Sequence, residues 1–191
     1  MDHEQTPAGV DRRGFLKLGL GGSIALATLG VGTQLAGCSQ QAAAPAEGLR
    51  WLTAADLPFV KLLVAGVAGP ALPTDAQAAE TLIAEGVRRA DIALDALGAP
   101  AQKQLRQLFD LAQWAPFRRL AGGVSRPWNE ADAGDMNTLL TNFSNSRLAL
   151  LNGAYRALVK LGSTVIWSQP ATFSASHYPG PPAWAVTALN S

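Results

Sequence analysis

The sequence predicts an all-α fold, a single domain of about five helices ending in an irregular, proline-rich C-terminal arm. Three observations carry this. Apolar residues recur three and four positions apart through most of the chain beyond residue 49, the spacing of one buried helix face. Gly and Pro cluster where those runs stop. The one β-branched run, Ser163-Thr164-Val165-Ile166-Trp167, is short.

The elements follow in order. Thr53 is placed to cap a first helix, with Asp56 three residues on and Leu52 and Leu57 as a hydrophobic staple. That helix should run to about Ala68, where Gly69-Pro70 and Pro73 break it. Thr74 or Asp75 caps a longer second helix, with a stripe of Ile83, Val87, Ala90, Leu94 and Leu97 and Gly98 as its stop. Pro100 opens a third helix carrying Leu105, Leu108, Phe109 and Ala112, which reaches Trp114 before Pro116 interrupts it. With Gly122-Gly123 and Arg126-Pro127 inside it, the stretch from Arg118 to Trp128 reads as a loop or short turn. Asn129 caps a fourth helix that buries Met136, Leu139, Leu140 and Phe143. The fifth follows Ser144-Asn145-Ser146 and carries Leu148, Leu151, Tyr155, Leu158 and Val165 towards Trp167. In the arm, Ser176 to Trp184 is too rich in proline for helix or central strand, and its stiff aromatics suit docking into a groove or folding back over the chain's own helices.

Ahead of these lies an address. Arg12 and Arg13, then Gly14, Phe15, Leu16 and Lys17, form a twin-arginine export signature, followed by an apolar, glycine-rich stretch from Leu18 to Leu35. Such signals are read by a receptor and anchor nothing. The stretch ends on Leu35-Ala36-Gly37-Cys38, a lipobox, so residues 1–37 read as a removable leader and Cys38 as the lipidated first residue. A permanent signal-anchor helix is the alternative, but five glycines in the apolar run weigh against it. Residues 38–48 read as a flexible tether and 49–191 as the helical domain. Ser39, rather than Asp, after the cysteine favours the outer over the inner membrane as the site of the anchor, facing the periplasm. Cys38 is the only cysteine, so no internal disulfide can form.

From Cys38 onward there are 154 residues, enough for one core. Taking Arg12, Arg13 and Lys17 from the 15 basic residues, and Asp2, Glu4 and Asp11 from the 14 acidic ones, leaves 12 against 11. That balance gives no electrostatic footprint for nucleic acid. No catalytic constellation emerges either. His177 is the one histidine of this region and reads as a loop residue, and no phosphate-binding glycine loop or Gly-x-Ser-x-Gly is present. Glu80, Asp91 and Asp95 beside Arg88 and Arg89 read as a solvated, salt-bridged helix face, and Arg118-Arg119 as a surface pair. The expectation is a chain without catalytic, cofactor or metal residues. All five tryptophans lie beyond Cys38, and Trp114, Trp128, Trp167 and Tyr178 are the candidates for a partner surface.

The chain resembles the small, twin-arginine-exported subunits of flavin-dependent dehydrogenases of the glucose–methanol–choline type. The likeness lies in the leader, in the helix start Leu52-Thr53-Ala54-Ala55-Asp56, in Arg147 to Trp167 with Tyr155-Arg156-Ala157-Leu158, and in Tyr178-Pro179-Gly180-Pro181-Pro182. The resemblance implies a helical, non-catalytic subunit that escorts a signal-less catalytic partner through the twin-arginine translocase, the FAD residing in that partner. Two departures are the lipobox and the lack of a second cysteine, so no disulfide to the partner is expected and the lipid on Cys38 would supply membrane attachment. The alternative from another class is a free-standing periplasmic lipoprotein that binds a small apolar ligand or scaffolds the envelope.

Overall fold

The computed structural model describes residues 43–189, and all their regular structure is helical. The leader residues Arg12, Arg13, Phe15, Leu16 and Lys17 and the lipobox Cys38 lie outside the described residues. Seven α-helices occur among those described: α1 (Leu57–Ala68), α2 (Ala76–Asp95), α3 (Ala99–Gln113), α4 (Ala115–Leu120), α5 (Ala133–Ser144), α6 (Ala149–Trp167) and α7 (Ala183–Leu189). The five long ones are those the periodicity predicts. The two short ones, α4 and α7, fall in stretches read from sequence as loop and arm.

α1 is the central strut, packed against α2, α5 and α6, while α2 and α5 also lie on α6. Close approach depends on two glycines. A Cβ on Gly86 of α2 would sit 2.7 Å from Val64 Cγ1, and one on Gly162 of α6 would sit 2.7 Å from Val67 Cγ2. Both valines belong to α1, three residues apart, so one helix is gripped on two sides by missing side chains. Around it Phe59, Val60, Leu63, Leu94, Met136, Leu139, Phe143 and Leu158 are fully buried.

The helix boundaries show which local rules won. Asp75 caps α2 as expected, accepting from the Ala78 N–H at 2.8 Å. α2 ends at Asp95, so Leu97 falls beyond it, and Gly98 opens α3 in an extended conformation instead of closing α2. α5 starts later than Asn129: Asp132 is its cap, in a capping box with Asp135. Pro116 stands in the first turn of α4, where its missing N–H costs nothing, so it starts a helix rather than interrupting one. Ser163–Trp167 continues α6 as helix, because Gly162, Val165 and Ile166 complete its buried stripe. α7 begins at Ala183, just past Pro181-Pro182.

Residues 49–56 precede α1 and are fixed by two buried carboxylates. Asp91 of α2 accepts the backbone N–H groups of Arg50 (2.8 Å), Trp51 (2.9 Å) and Leu52 (2.8 Å). It is 2% exposed, so it belongs to the core and not to the solvated face expected from Arg88 and Arg89. Those arginines bind Glu85 instead, Arg88 and Arg89 each at 2.7 Å, and the Arg88 hydrogen bonds, then those of Arg89, bring the Glu85 carboxyl down to about 2. Asp95 lies 3.8 Å from Arg50.

The second carboxylate, Asp56, is completely buried. Arg106 of α3 grips it with both arms of the guanidinium, at 2.8 and 2.6 Å, and spans the faces of Trp51 and Phe109 at 5.0 and 5.4 Å. Asp56 also accepts from the Thr53 N–H and hydroxyl, each at 2.8 Å. Thr53 is therefore a donor to this carboxylate, and α1 begins three residues later than a Thr53 cap would place it. Burial pushes the Asp56 carboxyl up, but the Arg106 hydrogen bonds, the two Thr53 donors and the Arg106 charge outweigh it and hold it below the usual 3.8.

Two outcomes follow from this pair. Asp91→Ala leaves three backbone N–H groups without their acceptor, one buried and two half-buried, and is expected to cost about 2–4 kcal/mol of stability, read as a lowered urea midpoint. Because the folded-state value of Asp56 lies below its unfolded value, its contribution is complete above the unfolded value and is lost as pH falls through the lowered one. Thermal unfolding followed by circular dichroism should thus show the melting temperature falling on acidification below about pH 4, with the Asp56 share of that fall absent in Asp56→Asn.

Candidate functional site

Three of the four sequence candidates for a partner surface are exposed and one is not. Trp128 is 4% exposed, its ring edge-on to Phe59 at 5.0 Å and its indole N–H donating to the Ala112 carbonyl at 2.8 Å, so it is a core residue. Trp114 stands in the open at the joint between α3 and α4, 59% exposed. Trp167, at the last turn of α6, and Tyr178, in the arm, are about half exposed. The arm adds Trp184 at 75% exposure, one of the aromatics of the segment read from sequence as suited to docking, and Val186, which that reading missed; both lie on α7. Phe173 meets Tyr178 edge-on at 4.9 Å, which folds the arm into a turn at His177, whose φ of 53° is in the left-handed region.

Arg118 corrects another expectation. It is buried, with Nη1 donating to the Gln113 carbonyl at 3.1 Å and the guanidinium 5.8 Å from the Trp128 ring, while its Nε has no partner. Burial and then the neighbouring Arg119 charge push its pKa down. Arg119 is exposed, as expected of it. Among the described residues no group of three or more His, Cys, Asp or Glu could hold a metal ion, and no helix is long and apolar enough to cross a membrane.

A large apolar groove of about 690 Å³ lies between α3 and the first half of α6, floored by α4. Leu105, Leu108 and Leu111 line one wall, Phe117 the floor, and Leu150 and Ala154 the other wall. Helix α3 leans on α4 and reaches α1 through Phe109, 5.4 Å from Phe59, which leaves its leucine face without a close helix opposite. Gln104 and Gln107 are the polar residues lining it, and no charged residue does. Its volume is in the range of small-ligand sites, and a slot of this kind equally takes a side chain from a partner. The arrangement can bind; it holds no nucleophile or acid–base pair.

No protein-family model, no curated protein and no solved structure matches this chain. The site therefore stands on its own geometry.

A second concavity of about 320 Å³ shares Ala149 and Gly153 with the groove and adds Ser146, Arg147, Asn152 and Arg156. Sequence reading missed these arginines, although one signal was present: from Met136 to Ser191 there is no Asp or Glu, against Arg147, Arg156 and Lys160. Gly153 lies on α6 at the junction of the two concavities, and a Cβ built there meets nothing within 4 Å. Gly153→Ala is accordingly expected to stabilise the protein by about 0.5–1 kcal/mol, seen as a raised urea midpoint, by removing backbone freedom from a helix interior without a clash.

Proposed function

We propose that this chain is a non-catalytic accessory subunit. It carries a signal-less, flavin-dependent dehydrogenase through the twin-arginine translocase as a folded complex, stabilises that partner, and keeps it at the membrane by a lipid on Cys38. The observation that carries the reading is the pairing of Arg12, Arg13, Phe15, Leu16 and Lys17 with a Cys38 lipobox, on a chain in which no catalytic constellation is legible. A route reserved for folded cargo has a purpose when a cofactor, here FAD in the partner, must be seated before export. The exposed Trp114, Trp167, Tyr178, Trp184 and Val186 support the reading, since aromatic residues of this kind dominate interface cores; Trp128 is buried and does not.

A second reading has one specific observation in its favour. The apolar groove suits a free-standing periplasmic lipoprotein that takes a small apolar ligand.

Affinity purification of the tagged full chain from membranes of its own host separates the two. The accessory reading expects a yellow complex containing a large flavoprotein. Arg12→Lys with Arg13→Lys should leave both proteins in the cytoplasm, and Trp184→Ala should weaken the complex by about 2 kcal/mol, or some thirtyfold in affinity. A chain that repeatedly comes out alone sinks the accessory reading.

A further inference from the structure

We propose that the groove between α3 and α6, together with the arginine pair at its mouth, is a site for one anionic phospholipid molecule. An acyl chain would occupy the leucine-lined groove, and the phosphate would sit between Arg147 and Arg156. This is independent of the accessory-subunit reading and distinct from the proposed lipid on Cys38.

An apolar trough without a charged lining residue adjoins a pocket lined by two arginines, the two concavities sharing Ala149 and Gly153 of α6. Both arginines are exposed and free of ion pairs among the described residues: Arg147 has none, and Arg156 reaches only the Asn152 Oδ1, at 3.4 Å. Five other arginines, Arg50, Arg88, Arg89, Arg106 and Arg126, find carboxylates, while Arg118 and Arg119 reach backbone carbonyls. No carboxylate lines either concavity, so the charge at the mouth is uncompensated. Asn152, Arg156 and Lys160 then continue up α6 at intervals of four, one polar and basic stripe beside the apolar wall.

Leu148 and Leu150 add the amphiphilic character. They stand 64% and 74% exposed at the start of α6, next to Arg147, where an aqueous surface would favour polar residues. An acidic peptide would satisfy the arginines but would bring backbone N–H and C=O groups into a trough that answers them only through Gln104 and Gln107. A hydrocarbon chain asks for no such partners. Arginine suits a phosphate by its forked donors, and leucine walls suit the chain below it.

The test is equilibrium dialysis of the full chain, solubilised in digitonin, against three probes: dihexanoyl phosphatidylglycerol, dihexanoyl phosphatidylcholine and inorganic phosphate. Wild type is expected to bind the phosphatidylglycerol at least about tenfold more tightly than the phosphatidylcholine, in keeping with two basic side chains beside an anionic headgroup, and inorganic phosphate not measurably. Arg147→Gln with Arg156→Gln should abolish the headgroup preference. Gly153→Leu, which projects a side chain from the junction of groove and mouth, should abolish binding of both lipids. An unchanged circular dichroism spectrum and a melting temperature no lower than that of wild type confirm that each variant is folded. Equal binding of the two lipids, headgroup preference surviving the double substitution, tight binding of phosphate alone, or undiminished binding by Gly153→Leu would each overturn the proposal.

Discussion

The fold hangs on a pair of buried carboxylates that seize the same eight residues from two sides. Asp91 of α2 takes three successive N–H groups of residues 50–52, and Asp56 takes the guanidinium of Arg106 from α3. A buried charge is costly unless its lone pairs are answered, and here each carboxylate oxygen has a donor. The return is positional. Leu52 and Trp51 are set into the core, α1 starts where Asp56 leaves it, and α3 is fastened to the domain by an ion pair as well as by Phe109.

That fastening explains why a groove exists. α3 is held at the 49–56 segment and at the aromatic cluster of Trp51, Phe59, Phe109 and Trp128, all on one side of the helix. Its other side, with Leu105, Leu108 and Leu111, faces the first half of α6 without a bond or close helical contact to draw the two together. Meanwhile α6 is committed to α1, α2 and α5. The open slot is thus the consequence of two helices each anchored elsewhere, and the arginines of the α5–α6 joint and α6 fall at its rim.

Periodicity read the five long helices and the buried face of α5 residue by residue, because amphipathic spacing is a local property. What it missed was set by distance or by context. Asp91 reads as one more acid beside Arg88 and Arg89, and nothing local reveals that its partners lie some forty residues upstream. Pro116 carries the same letter whether it stops a helix or starts one; only the extended backbone of Trp114 decides. Trp128 reads as surface because its loop is polar, whereas the indole plugs the space between Phe59 and Ala112. The groove has no sequence signature at all, since it is a gap between helices. The basic run after Met136 did have one, in the absence of any acid to match it.

The two glycines that flank α1 acquire a different meaning on the proposed export route. Gly86 and Gly162 leave no room for even a methyl group, so a larger residue at either would prise α2 or α6 from the central strut. A translocase that accepts only folded cargo converts such a packing error into a sorting error. The fault would show as a protein left in the wrong compartment, with its partner stranded beside it. Two missing side chains in the core would then act as a proofreading mark for the cell, checked at the pore before the lipid is ever attached.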